Sequence, residues 1–169
     1  MENAPKRVSR AYVGFGANLG DPASTLRTAV VELGRRGGRI VAASPIYRSE
    51  PVGVTDQPPF LNAVAALKTE LDPDALLGVL LEIEAAHGRV REVRWGPRTL
   101  DLDLIWFEDV ARDDARLTLP HPRAHEREFV LRPLCDITPD LMLSGRTARA
   151  WLEALDPQGV EPAGGLPLM

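Results

Sequence analysis

The chain has 169 residues, 44% of them hydrophobic, and a formal net charge of −4. This suits one folded domain with a substantial core, argues against a general nucleic-acid binder, and offers no run of about 18 apolar residues to span a membrane. A single cysteine, Cys135, excludes an intramolecular disulfide and a cysteine zinc cluster, and the opening MENAPKRVSR lacks the apolar core of a signal peptide, so a cytoplasmic protein is expected.

In chain order, residues 11–16 predict a first strand, broken by Asn18, Gly20 and Asp21. Asp21 can cap a helix that has Pro22 in its first turn. Leu26, Ala29, Val30 and Leu33 then recur at helical spacing, up to Gly34, Gly37 and Gly38. RIVAASPIYRS is extended, with Pro45 marking an edge or a bulge. EPVGVTDQPPF is a loop. FLNAVAALKTE predicts a strand with Phe60, Asn62, Val64 and Ala66 on one face. LDPDALLGVLLEIEAAHG is the clearest helix: Asp72 caps it, Pro73 starts it, Leu76, Leu80 and Ile83 form its apolar stripe, and Gly88 ends it. TLDLDLIWF is the next strand. RAHEREFVLRPL predicts a short helix stopped by Pro133, TARAWLEAL a last helix, and residues 156–169 a loose tail. The order strand, helix, strand, strand, helix, strand fits a ferredoxin-like α+β fold, an antiparallel sheet with helices packed on one face, plus C-terminal additions. The expected organisation is a single domain over 1–169, with its core at about 11–155.

The strand TLDLDLIWF sets two acids where apolar side chains would be usual. Asp101 and Asp103 share a face, roughly 6–7 Å apart from the strand rise, while Leu100, Leu102 and Leu104 point to the helices. Ile105 and Phe107 are expected to continue the acidic face, so that face is not uniformly polar. Two carboxylates this close repel, and a cation beside them relieves the repulsion. Mg²⁺ suits such a pair, because it keeps waters and substrate oxygens as its other ligands. A solvated strand face is the plain alternative. Zinc is weaker, since His87, His121 and His125 form no HExxH pattern.

Arg89, Arg91, Arg94 and Arg98 precede the acids, opposed within that run only by Glu92. Arginines around metal-binding acids make a polyphosphate cradle, whereas surface ion pairing is the alternative for each alone. VGFGANLG fails the GxGxxG pattern, because Leu19 stands where the third glycine belongs, and no P-loop exists. Phe60, Trp95 and Phe129 offer rings that could stack on a flat heterocycle, with Asn62 reading its polar edge; each ring could equally be core.

GFGANLG, PPFLNAV, IEAAHGRVREVRWGPRTLDLDLIWF and LTLPHPRAHEREFVLRPL together resemble the 6-hydroxymethyl-7,8-dihydropterin pyrophosphokinase family, over roughly residues 11–155. The resemblance implies a monomeric enzyme that moves pyrophosphate from ATP to the hydroxymethyl group of the reduced pterin and releases AMP. It implies two Mg²⁺ ions on Asp101 and Asp103. It assigns Glu84, Arg89, Arg91, Arg98, His121 and Arg127 to the nucleotide, with Arg91 and Arg98 also aligning the phosphates for transfer. Ser49, Val52, Phe60, Asn62, Trp95 and Phe129 fall to the pterin. Phe60 stands where many members carry tyrosine, and Glu50 replaces a small residue or proline. A metal-dependent phosphohydrolase and a nucleotide-binding module without catalysis are the competing readings.

Overall fold

Asp21 and Asp72 each precede a proline and accept a backbone N–H three residues on, from Ser24 at 3.2 Å and Ala75 at 2.8 Å. Each cap satisfies a donor that a first helical turn leaves open. They start α1 (Pro22–Arg36) and α2 (Pro73–Ala86). The computed structural model describes residues 6–51, 56–88 and 99–167, with side chains up to residue 163.

Six strands form the main sheet: β1 (Ser9–Ala17), β2 (Arg39–Ala43), β3 (Pro45–Ser49), β4 (Phe60–Thr69), β5 (Asp101–Phe107) and, near the C-terminus, a strand at Glu161–Pro167. Between these last two lie the hairpin β6 (Arg112–Asp113) and β7 (Thr118–Leu119), a 3-10 turn (Ala124–Glu126), α3 (Glu128–Ile137), the hairpin β8 (Met142–Leu143) and β9 (Arg146–Thr147), and α4 (Ala148–Ala154). The C-terminal strand is β10. Sheet order is β10-β3-β4-β1-β5, with β2 also on β4, and every pairing is antiparallel. This is the predicted antiparallel α+β arrangement, except that the helices pack on both faces of the sheet and not on one.

The two sheet faces are covered differently. Leu26, Leu33, Leu76, Leu80 and Ile83 of α1 and α2 pack with Val13, Phe15, Leu67, Leu102 and Leu104. On the opposite face Leu131, Leu134 and Ala148, from α3 and α4, pack with Tyr12, Val64, Ala66 and Ile105. Among the described residues the second pair of helices leaves part of its face uncovered, and a cavity lies there. Among the described residues no helix is long and apolar enough to cross a membrane.

Three further expectations are corrected. The tail is not loose throughout: β10 pairs with β3, Glu161 opposite Arg48, and their side chains approach to 3.3 Å. Its prolines are tolerated because the strand is an edge. α3 runs through Pro133. A proline in the second turn forfeits one hydrogen bond, while Val130, Leu131, Pro133 and Leu134 are all buried there. Finally, Phe107 does not share the face of the acids. Val13 pairs with Leu104 but Tyr12 with Trp106, so Ile105 is an extra residue in β5 and the alternation shifts. Phe107 joins the α1–α2 core instead.

The break between β2 and β3 is bridged by one hydroxyl. Ser44 is 1% exposed, and its Oγ accepts the Val64 N–H at 2.9 Å. Ser44→Ala strands that donor in the interior, so the variant should lose about 1–3 kcal/mol in urea unfolding; unchanged stability would mean that the hydroxyl bridges nothing of consequence.

Candidate active site

β1 has glycine at two alternate positions, Gly14 and Gly16, so beyond Tyr12 one face of a central strand lacks side chains. The register sets these glycines between the acids and the amide. Asp101, Gly16, Asn62 and Tyr47 form one row across the sheet, and Asp103, Gly14 and Val64 form the next. Two inter-strand spacings separate Asp101 from Asn62, roughly 10 Å between backbones. A Cβ on Gly14 would stand 3.3 Å from Ile105 Cδ1, and one on Gly16 would stand 3.5 Å from Asn62 Oδ1. Above this bare strip lies a cavity of about 730 Å³.

The strip supplies the floor, and the segment after β5 supplies a wall. The bulged Ile105 accepts the His121 N–H at 2.8 Å, which ties His121 to the acidic strand. Further back, Arg112 and Arg116 both bond Asp74 at 2.9 Å and fasten the preceding hairpin to the start of α2. His121 Nδ1 accepts the Arg123 N–H at 3.2 Å, which leaves Nε2 as the protonated nitrogen of a neutral ring. Burial, with help from the charge of Arg127, pushes His121 down to about 4 from its ordinary 6.5; Asp101 pulls the other way. Burial also lowers the Arg127 pKa, against the opposing pull of Asp103 and Asp101. Its guanidinium lies over the Phe129 ring, 5.5 Å from the centroid.

On the other side of the strip the polar groups are more deeply set. Asn62 is 5% exposed, and its Nδ2 donates to Ser49 Oγ at 2.7 Å. Phe60, Ser49 and Asn62 line the cavity with Phe129 of α3. Asn18 donates at 2.9 Å to Gln57 and to the Pro58 carbonyl, fixing the chain that enters Phe60.

Of the residues singled out from the sequence, Asp101, Asp103, His121, Arg127, Ser49, Phe60, Asn62 and Phe129 come together around this one cavity. Glu84 does not line it. Its buried carboxylate accepts the Leu102 N–H at 2.8 Å, which holds β5 at the residue between the two acids. Val52, Arg89, Arg91, Trp95 and Arg98 lie outside the described residues. Sequence reasoning missed Gly14, Gly16, Arg123 and Gln158, which also line the cavity. The glycines had a signal: at alternate positions in a strand they denude one face. Arg123 and Gln158 had none.

Residues 12–139 match the model of the family described as 7,8-dihydro-6-hydroxymethylpterin-pyrophosphokinase. The chain belongs to that family. A 2-amino-4-hydroxy-6-hydroxymethyldihydropteridine pyrophosphokinase of Methylorubrum extorquens is 52% identical over 155 residues, covering 91% of this chain and 98% of the other. The protein of the same description from Pseudomonas aeruginosa is 46% identical over 156 residues, covering 91% and 96%. A crystal structure of wild-type Plasmodium falciparum HPPK-DHPS with pteroate superposes with a TM-score of 0.71 at 15% identity, and supports the fold alone. The match takes in 90% of this chain but only 43% of that one.

The cavity thus includes a histidine held neutral by its surroundings. The unfolded chain takes up a proton near pH 6.5 that the folded site refuses until about 4. The neutral ring's contribution to stability is therefore complete above about pH 6.5 and is lost as the pH falls toward 4. His121→Gln should flatten that part of the acid dependence: the stability difference between parent and variant in urea should shrink from about pH 7.5 to about pH 4.5. Parallel curves would place the acid-sensitive group elsewhere.

Proposed function

We propose that the protein transfers pyrophosphate from ATP to the hydroxymethyl group of 6-hydroxymethyl-7,8-dihydropterin, giving AMP and the pterin diphosphate, in folate biosynthesis. The observation that carries this reading is the glycine strip, with acids on one side and the Asn62–Ser49 pair and two phenylalanines on the other. A phosphohydrolase needs the first group and has no use for the second. The curated relatives bear the name of this activity along nearly their whole length.

Asp101 and Asp103 would hold Mg²⁺. Among the described residues no group of three or more His, Cys, Asp or Glu could cage a metal, so the donor set fits an ion that takes its remaining oxygens from water and phosphate. When bound, Mg²⁺ neutralises charge on the triphosphate. The reading assigns two such ions. Arg127 supplies a fixed positive charge and a bidentate fork for phosphate oxygens. The neutral His121 offers its Nε2–H as a donor without adding charge. Asn62 is held by Ser49 with its Oδ1 near Gly16, an acceptor for the edge of the heterocycle. Phe60 and Phe129 offer faces for stacking. Family resemblance adds Arg89, Arg91 and Arg98 on the phosphates, Trp95 and Val52 on the pterin, and Glu84 on the nucleotide side. The proposal takes the protein to be a monomer working in the cytoplasm.

Aligning a neutral hydroxyl with a polyanionic triphosphate is most of what such a site must do. Asp101→Asn or Asp103→Asn keeps the side-chain volume and removes a charged ligand. Each should lower Mg²⁺-dependent formation of pterin diphosphate and AMP by roughly 100-fold or more, with thermal unfolding little changed. The products are read by mass spectrometry. ATP consumed without pterin diphosphate would identify a hydrolase, and parent-like transfer by both variants at limiting Mg²⁺ would remove the metal role.

A further inference from the structure

Glu128 sits between two cavity residues, Arg127 and Phe129, yet does not line the cavity itself. It is the first residue of α3 and is 7% exposed. Its Oε1 accepts the backbone N–H of Gln158 at 2.8 Å and that of Val160 at 3.3 Å. Gln158 returns the contact: its Oε1 accepts the Glu128 N–H at 2.9 Å, and its Nε2 donates to the Glu126 carbonyl at 3.0 Å. A buried carboxylate is costly unless bonded, and a helix N-terminus leaves donors open. Each segment satisfies the other's need across 30 residues of sequence.

The consequence reaches the cavity. Gln158 lines it together with Glu126, Arg127 and Phe129. From Val160 the chain enters β10, which pairs with β3, and β3 carries Ser49. One path therefore runs from the Arg127–Phe129 wall through the clasp and β10 to Ser49 and Asn62 in the sheet.

We propose that the Glu128–Gln158 clasp positions the substrate pocket, so that the C-terminal segment sets the separation between Phe129 and the Ser49–Asn62 pair. This rests on the pterin assignment above. Glu128 and Gln158 are positioning residues and touch no reacting atom.

The test is calorimetric binding of the reduced hydroxymethylpterin in the presence of Mg²⁺ and an unreactive ATP analogue, with steady-state kinetics and thermal unfolding alongside. The Gln158 side chain is exposed, so Gln158→Ala should remain folded. It should weaken pterin binding and raise the pterin KM by roughly tenfold, as losing an anchoring hydrogen bond would. Glu128→Ala should do the same, and Glu128→Gln, which keeps an acceptor at Oε1, should recover most of the loss. Parent-like binding in folded Gln158→Ala overturns the proposal, as does a fall in kcat at unchanged pterin KM, the mark of a merely structural role. A Glu128→Gln protein no better than Glu128→Ala also overturns it. Asn62→Ala is the control for the pocket: if it binds pterin like the parent, the pterin assignment itself fails and the clasp has nothing to position.

Discussion

Two missing side chains in the middle of β1 govern what this fold can hold. Glycine in a strand interior gives up packing and costs conformational entropy. Here the strand is steadied from outside. β4 and β5 pair along both of its edges, and Val13 and Phe15 are buried on its other face. The gap so preserved leaves Asp101 and Asn62, two strands apart, lining one cavity. A side chain at either glycine would divide the cavity into an acidic part and an amide part.

The rest of the site consists of devices that hold charged groups in place around this strip. Glu84 bonds β5 between its two acids, and the bulge at Ile105 turns a carbonyl to the His121 backbone. That same bulge sends Phe107 into the other core, so a single inserted residue both anchors the histidine and completes the packing against α1 and α2. Burial and the neighbouring Arg127 charge keep His121 neutral, so this wall does not accumulate mutually repelling positive charge.

Much of this was legible in the sequence, for local reasons. Asp21–Pro22 and Asp72–Pro73 announce helix starts because capping acts within a few residues, and the alternation in DLDL announces a strand with two chemistries. What escaped depends on partners far along the chain. Pro133 reads as a stop until the burial around it outweighs the lost bond. The Pro- and Gly-rich end reads as a tail until Glu128 and β3 supply its partners. No local pattern marks the bulge at Ile105, since it exists only against Tyr12 and Val13. The eight site residues that converge do so through sheet register, which the motif order implies but does not by itself determine.

The most direct test of this account is Gly16→Val. Valine suits a strand and meets only an ordinary contact at Asn62 Oδ1, 3.5 Å from its Cβ position, so the protein should unfold within about 1 kcal/mol of the parent. Its branches would nevertheless stand in the strip between Asp101 and Asn62. Calorimetry with Mg²⁺, an unreactive ATP analogue and the reduced pterin should then show pterin binding weakened by roughly 100-fold, with Gly16→Ala in between. A folded Gly16→Val protein that binds pterin like the parent would contradict the claim that the bare strand face is the substrate's seat.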